Sequence, residues 1–241
     1  MSIQAVILAG GLGTRLGALT KDTPKPLMKI RGKPFLHWQI DYLKNEGVTD
    51  FLFLTGFKGE LIHEYFGDGS QFGVYIQYSQ EVTPLGTGGA LIQAYQKLNE
   101  SFLLLFGDSF LPVNVSQVFS GLEAPMTDVV MTVYDNRENT SVPFNVGLEG
   151  LRVKRYEKVA IGAQISPDLT HVEAGVYGVK KTLFKGHALK VCSFESELLK
   201  SAIQLGSVAA IKCSQRFFDI GTPERLALFE ERIGDYFTNT L

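Results

Sequence analysis

The order of the apolar runs constrains this chain more than any other feature. Residues 3–9 read as one apolar strand, buried on both faces. "KPFLHWQIDYLKNEG" then sets Leu36, Ile40 and Leu43 at i, i+4 and i+7, a helical stripe that ends at Gly47. "DFLFLTG" is a second strand, "GELIHEYFG" a short helix, "VYIQYS" a third strand, "TGGALIQAYQKL" a helix and "SFLLLFGD" a fourth strand. Strands that alternate with helices pair in parallel through right-handed crossovers, so the sheet is covered on both faces. Ligands in such sheets sit beyond the carboxyl ends of the strands. The glycine loop after Ala9, "SQEVTPLGTGG" after Tyr78 and "GDS" after Phe106 all fall there.

The second half changes character. "TDVVMTVYD", "FNVGLEG", "LRVKRYEK" and "HVEAGVYGV" are strand-like, and "FESELLKSAIQLG" carries Leu198, Leu199, Ala202 and Ile203 on one helical face. "SVAAIKC" and "QRFFDIG" are short strands. "TPERLALFEERIGDYF" is a closing helix with Thr222 as N-cap, Pro223 at its first position and Leu226, Phe229 and Ile233 facing inward. The expectation is an α/β fold, a Rossmann-like and mostly parallel sheet with helices on both faces, plus a small β-rich subregion. No linker or repeat divides residues 1–241, so one domain is expected, with halves meeting near residue 140.

A formal charge of −2 provides no global field for nucleic acid or a membrane surface, so any anion site must be local. Cys192 and Cys213 stand outside any C-x-x-C pattern and read as a reduced, buried pair. His37, His63, His171 and His187 lack zinc-ligand spacing. The start "MSIQAVILAGG" lacks the cationic region of a signal peptide, and no run approaches the ~18–20 apolar residues of a membrane span. A cytoplasmic protein is expected, without nucleic-acid or membrane partners; a homo-oligomer stays open.

The loop in "AVILAGGLGTRL" admits several readings. A Walker loop fails, because no lysine followed by Ser or Thr closes it. A dinucleotide fingerprint fits Gly11 and Gly13 but finds Leu16 where its third glycine should be. A bare turn explains the glycines but not the cations beside them. "LAGGLGTRLGALTKDTPKPLMKI" gathers Gly10, Gly11, Gly13, Thr14, Arg15 and Lys25 on one loop. Glycines let backbone N–H groups approach an anion, Arg15 offers a planar fork, and Pro24 and Pro26 stiffen the backbone that carries Lys25.

L-A-G-G-x-G-T-R-L followed by K-P resembles the signature of the sugar-1-phosphate nucleotidyltransferases, the NDP-sugar pyrophosphorylases. Further stations recur in order over nearly the whole chain: "PLGTGGAL", "FGDS", "YEK", "EAGVY" and "FFDIGTPERL". The resemblance is nearest to short heptose-1-phosphate and mannose-1-phosphate guanylyltransferases, and leaves no room for the carboxy-terminal β-helix of longer relatives. It implies the nucleotide-diphospho-sugar transferase fold, with a nucleotide-binding half to about residue 140 and a sugar-phosphate-binding half after it. It also implies in-line attack by a sugar 1-phosphate on the α-phosphorus of a nucleoside triphosphate. A phosphate monoester with a second pKa of about 6 needs no general base, so cations and Mg²⁺ carry the reaction.

The resemblance assigns Leu8, Ala9, Gly10, Gly11, Gly13, Thr14, Glu81, Pro84, Gly86 and Thr87 to the nucleotide. Arg15 holds the β and γ phosphates and Lys25 the α-phosphate, and both join Asp108 as catalytic residues. Asp108 and Asp219 are the implied Mg²⁺ ligands. Asn145, Glu157, Lys158, Glu173 and Gly175 are given to the sugar phosphate, with Lys158 on the phosphate and Glu157 on hydroxyls; a charged strand end without function stays open for Glu157. Gly86 admits the nucleotide while Thr87 caps the helix. Phe144–Asn145 and Glu173 depart from the commoner pattern, which bears on the identity of the sugar. Gly10 leans toward GTP, with UTP, dTTP and CTP as alternatives. Two other classes remain: a nucleotide-sugar-using glycosyltransferase, whose D-x-D motif "GDSF" only half supplies, and a non-catalytic regulatory subunit.

Overall fold

The computed structural model describes residues 2–11 and 22–237. Nine strands form one sheet: β1 (Gln4–Leu8), β2 (Asp50–Thr55), β3 (Tyr75–Gln80), β4 (Ser101–Phe106), β5 (Val129–Tyr134), β6 (Val146–Glu149), β7 (Arg152–Tyr156), β8 (Val172–Lys180) and β9 (Val208–Cys213). Their spatial order is β3-β2-β1-β4-β8-β5-β9-β7-β6. The first four strands pair in parallel, as their alternation with helices requires. β8 then pairs antiparallel with β4 and β5, β9 lies parallel to β5, and an antiparallel β7–β6 hairpin closes the far edge. Both halves therefore share one continuous sheet.

Helices α1 (Phe35–Asn45), α2 (Gly59–Phe66) and α4 (Val115–Leu122) cover one face, where Leu36, Ile40, Ile62, Phe66, Val118 and Leu122 are buried. The other face lies under α3 (Gly86–Gln93), α5 (Lys200–Gln204) and the π-helical segment Phe194–Leu199 that runs into α5. Asn114, not singled out in the sequence, caps α4 by accepting a bond from the Gln117 N–H at 2.9 Å. The closing helix α6 (Pro223–Arg232) starts as expected, with Thr222 accepting from Arg225 N. Its fully buried Phe229 meets Phe35, Phe110 and Phe218 at 5.0, 5.2 and 5.6 Å between ring centres. That cluster fixes two short strands, Ser109–Phe110 and Phe218–Asp219, against each other. Among the described residues, no helix is long and apolar enough to cross a membrane, and both cysteines are free. Cys192 is buried, whereas Cys213 is only half-buried.

Candidate active site

A cavity of about 500 Å³ opens beyond the carboxyl ends of β1, β2, β3 and β4. Leu8, Ala9, Gly10, Gly11, Lys25, Glu81, Pro84, Gly86, Thr87 and Asp108 line it, so the structure gathers these expected residues in one place. Gly13, Thr14 and Arg15 lie outside the described residues. Gly56, Thr83, Phe106 and Gly107 also line the cavity. They end or follow β2, β3 and β4, the strand ends that mark a ligand rim, and the strand reading could have found them.

Close backbone packing shapes the rim. The Ala9 N–H donates to the Leu54 carbonyl and the Gly107 N–H to that of Leu8, each at 2.8 Å. A Cβ on Gly10 would stand 3.1 Å from Gly56 N, so the two loops pack closely at the first strand end. A Cβ on Gly11 would meet nothing within 4 Å.

Lys25 begins a tight turn between Pro24 and Pro26 and is buried, with its Nζ 3.1 Å from Asp108 Oδ2. The Asp108 side chain keeps 32% of its exposure and lines the cavity. Buried Gln39 pins the turn that carries Asp108, donating to the carbonyls of Phe106 at 2.9 Å and Ser109 at 2.5 Å. Strand pairing sets Asp219 opposite Ser109, one residue from Asp108, and the Ile220 N–H donates to the Asp108 carbonyl at 3.0 Å. The Asp219 carboxylate accepts from Arg225 at 2.8 Å and from Gly221 N at 2.9 Å. No third His, Cys, Asp or Glu completes a metal cluster among the described residues.

Glu81 accepts a bond from Leu85 N at 3.2 Å through Oε2. Burial raises its pKa, and the Leu85 N–H works against that rise.

Thr87 departs from its expected role. Helix α3 begins at Gly86 with Leu85 in the cap position and no side-chain cap, so Thr87 already lies inside the first turn. Its hydroxyl donates instead to Glu195 Oε2 at 2.8 Å and accepts from Phe194 N at 2.8 Å. The glycines of this turn have a second reason to be there. Gly86 has φ +72°, and a Cβ on it would sit 2.5 Å from the Cys192 carbonyl oxygen; one on Gly89 would sit 2.5 Å from that of Lys190. The helix thus docks directly onto residues 190–194.

On the far side of that turn lie the residues expected at the sugar phosphate. Lys158 Nζ is 3.0 Å from Oε1 of buried Glu195. Burial opposes charge on Glu195, but its own backbone N–H, Lys158 and Thr87 outweigh burial and lower its pKa. Glu173 and Gly175 sit where β8 shifts register against β5, and Gly175 takes φ +86°. Asn145 accepts from Glu173 N at 2.8 Å, and the Glu173 carboxylate accepts from Gly175 N. Burial pushes Glu173 up to about 7, against the pull of Gly175 N–H and the Tyr177 hydroxyl. Glu157 is turned aside: Arg155 holds it at 2.7 Å within an exposed group that includes Asp168. Glu195, which contacts both Lys158 and Thr87, is a residue that the sequence motifs do not reach; an acid inside the apolar stripe of "FESELL" is the available signal.

The profile of the nucleotidyl transferase family matches residues 4–145. This chain belongs to that family. A D-glycero-α-D-manno-heptose 1-phosphate guanylyltransferase of Campylobacter jejuni is 34% identical over 92% of this chain and 96% of its own length. Another of the same description from Aneurinibacillus thermoaerophilus is 29% identical over 97% and 100%. The crystal structure of HddC from Yersinia pseudotuberculosis complexed with GMP-PN superposes with a TM-score of 0.79 at 26% identity, covering 95% of this chain and 99% of that one. The fold, the family resemblance and the reading as a sugar-1-phosphate nucleotidyltransferase are borne out.

Proposed function

We propose that this protein transfers the guanylyl group of GTP to a D-glycero-D-manno-heptose 1-phosphate, releasing pyrophosphate, in the cytoplasm. The observation that carries the reading is the cavity whose glycine-lined rim holds the Lys25–Asp108 pair and whose wall residue Thr87 is joined through Glu195 to Lys158. Likeness to the two heptose guanylyltransferases over nearly their full lengths supports the choice of acceptor. Glu81 supports the choice of base. Guanine presents two neighbouring donors, its ring N–H and amino group, and a carboxylate accepts both. Uracil offers one donor between two acceptors, a poorer match.

Lys25, buried and held between prolines, places a point charge where the α-phosphate would gain negative charge during attack. Lys158 would hold the acceptor phosphate in line, a positioning effect on two polyanions that otherwise repel. Arg15 would take the β and γ phosphates. Asp108 and Asp219 fit Mg²⁺ in their chemistry, because both offer hard carboxylate oxygens, and strand pairing sets Asp219 opposite Ser109, the residue that follows Asp108. When bound, Mg²⁺ would neutralise phosphate charge and assist departure of pyrophosphate. Lys25 and Arg225, now paired with these carboxylates, would keep them oriented.

The test is pyrophosphate release with Mg²⁺ over five nucleoside triphosphates and the 1-phosphates of heptose, mannose, glucose and an amino sugar. GTP with the heptose is expected to be fastest. Preference for mannose 1-phosphate would move the acceptor, and silence across the grid would favour a non-catalytic subunit.

A further inference from the structure

Glu195 stands out because stability does not account for it. An exposed lysine paired with a carboxylate adds little to folding, and burying the carboxylate costs more than surface pairing returns. Yet Glu195 keeps only 10% of its side-chain exposure while Lys158 keeps 61%. The chain around Glu195 is heavily fixed. The Gly88 and Gly89 N–H groups donate to the Cys192 carbonyl, Cys192 N donates to Leu85, and Thr87 accepts from Phe194 N. Ser193 caps the adjoining turn and also donates to Glu195 Oε2 at 3.2 Å. That turn is π-helical, a distortion frequent at functional places. Lys158, by contrast, lies beyond the end of β7 in a segment without regular structure.

Resting on the function proposed above, we infer that Glu195 is a positioning residue for the acceptor phosphate. One carboxylate oxygen is locked to Thr87 in the wall of the nucleotide cavity, and the other holds the Lys158 ammonium beside it. An ammonium has three donors, so Lys158 can keep Glu195 and still offer N–H groups to a phosphomonoester. The sugar phosphate then meets a cation whose distance from the nucleotide is set in advance.

The test is Glu195→Gln, which retains an acceptor for Thr87 and Ser193 but loses the charge that holds Lys158. The KM for sugar 1-phosphate should rise about tenfold while that for GTP stays within about twofold. In a Lys158→Met background the same change should leave the sugar-phosphate KM alone, a non-additivity that loss of stability would not produce. Equal losses in both backgrounds, parallel changes in the two KM values, or no change would overturn the inference. If Glu195→Gln does not fold, Glu195→Asp keeps the charge but shortens its reach, and is read in the same way. A wild-type protein silent over the whole substrate grid defeats the proposed function and this inference together. An active wild type whose Glu195 variants are indifferent defeats only the inference.

Discussion

Around the cavity beyond β1–β4, backbone contacts do most of the shaping. Gly10 lies against Gly56, and Gly107 hangs from the Leu8 carbonyl. Lys25 and Asp108 sit against this frame, held by two prolines and a buried glutamine. Across the first turn of α3 the means are reversed. Lys158 is held by Glu195, Glu157 by Arg155, and Glu173 by Asn145 and Gly175. A rim shaped by backbone suits phosphates and ribose, which every triphosphate shares. A wall of side chains can change its hydrogen-bonding pattern by substitution, which suits recognition of one sugar among many.

The sharpest way to break this comparison is at Asp108. Asp108→Asn keeps the shape but loses the charge, and turnover with Mg²⁺ should fall roughly 10³-fold while the protein stays folded, with a midpoint lowered by the loss of the Lys25 pair. Steady-state kinetics and calorimetry on one preparation check both parts. Lys158→Ala should raise the KM for the sugar phosphate about tenfold or more and spare that of GTP, since it removes one charged hydrogen bond from the acceptor alone. A rise confined to GTP would place Lys158 in the wrong half.

Glu81→Gln should cut the preference for GTP over UTP about tenfold, because an amide offers donors where guanine also has them. Competition between the two triphosphates reads this directly. A further prediction concerns stability and rests on Glu173, raised from the ordinary 4.5 to about 7. Between these values the folded protein holds a proton that the unfolded chain has released, so stability falls as pH rises through that window and levels off above it. Glu173→Gln removes the slope. It should gain about 3 kcal/mol relative to the wild type between pH 4.5 and pH 8, measured by urea unfolding at both.

Much of this is legible in the sequence because strand ends, not long-range contacts, set the rim. The runs before Gly10, Gly56 and Gly107 are mostly apolar, and each stops where a ligand can lie. Helix α4 is harder to read because Val115, Val118 and Leu122 come after "LPVN", which looks like loop. The glycines of "GTGG" suggest room for a ligand, yet all three also admit residues 190–194. Thr87 looks like a cap because its true partner, Glu195, is 108 positions away. No local spacing carries such a pair. Glu157 likewise looks available until Arg155 and Asp168 fold beside it.

The most direct test of the central claim tracks the α-phosphorus of GTP. With GTP labelled there, heptose 1-phosphate and Mg²⁺, all transferred label should appear in the nucleotide sugar and none in pyrophosphate. Label in pyrophosphate, or label left in GTP while wild-type protein is folded and saturated with both substrates, would contradict it.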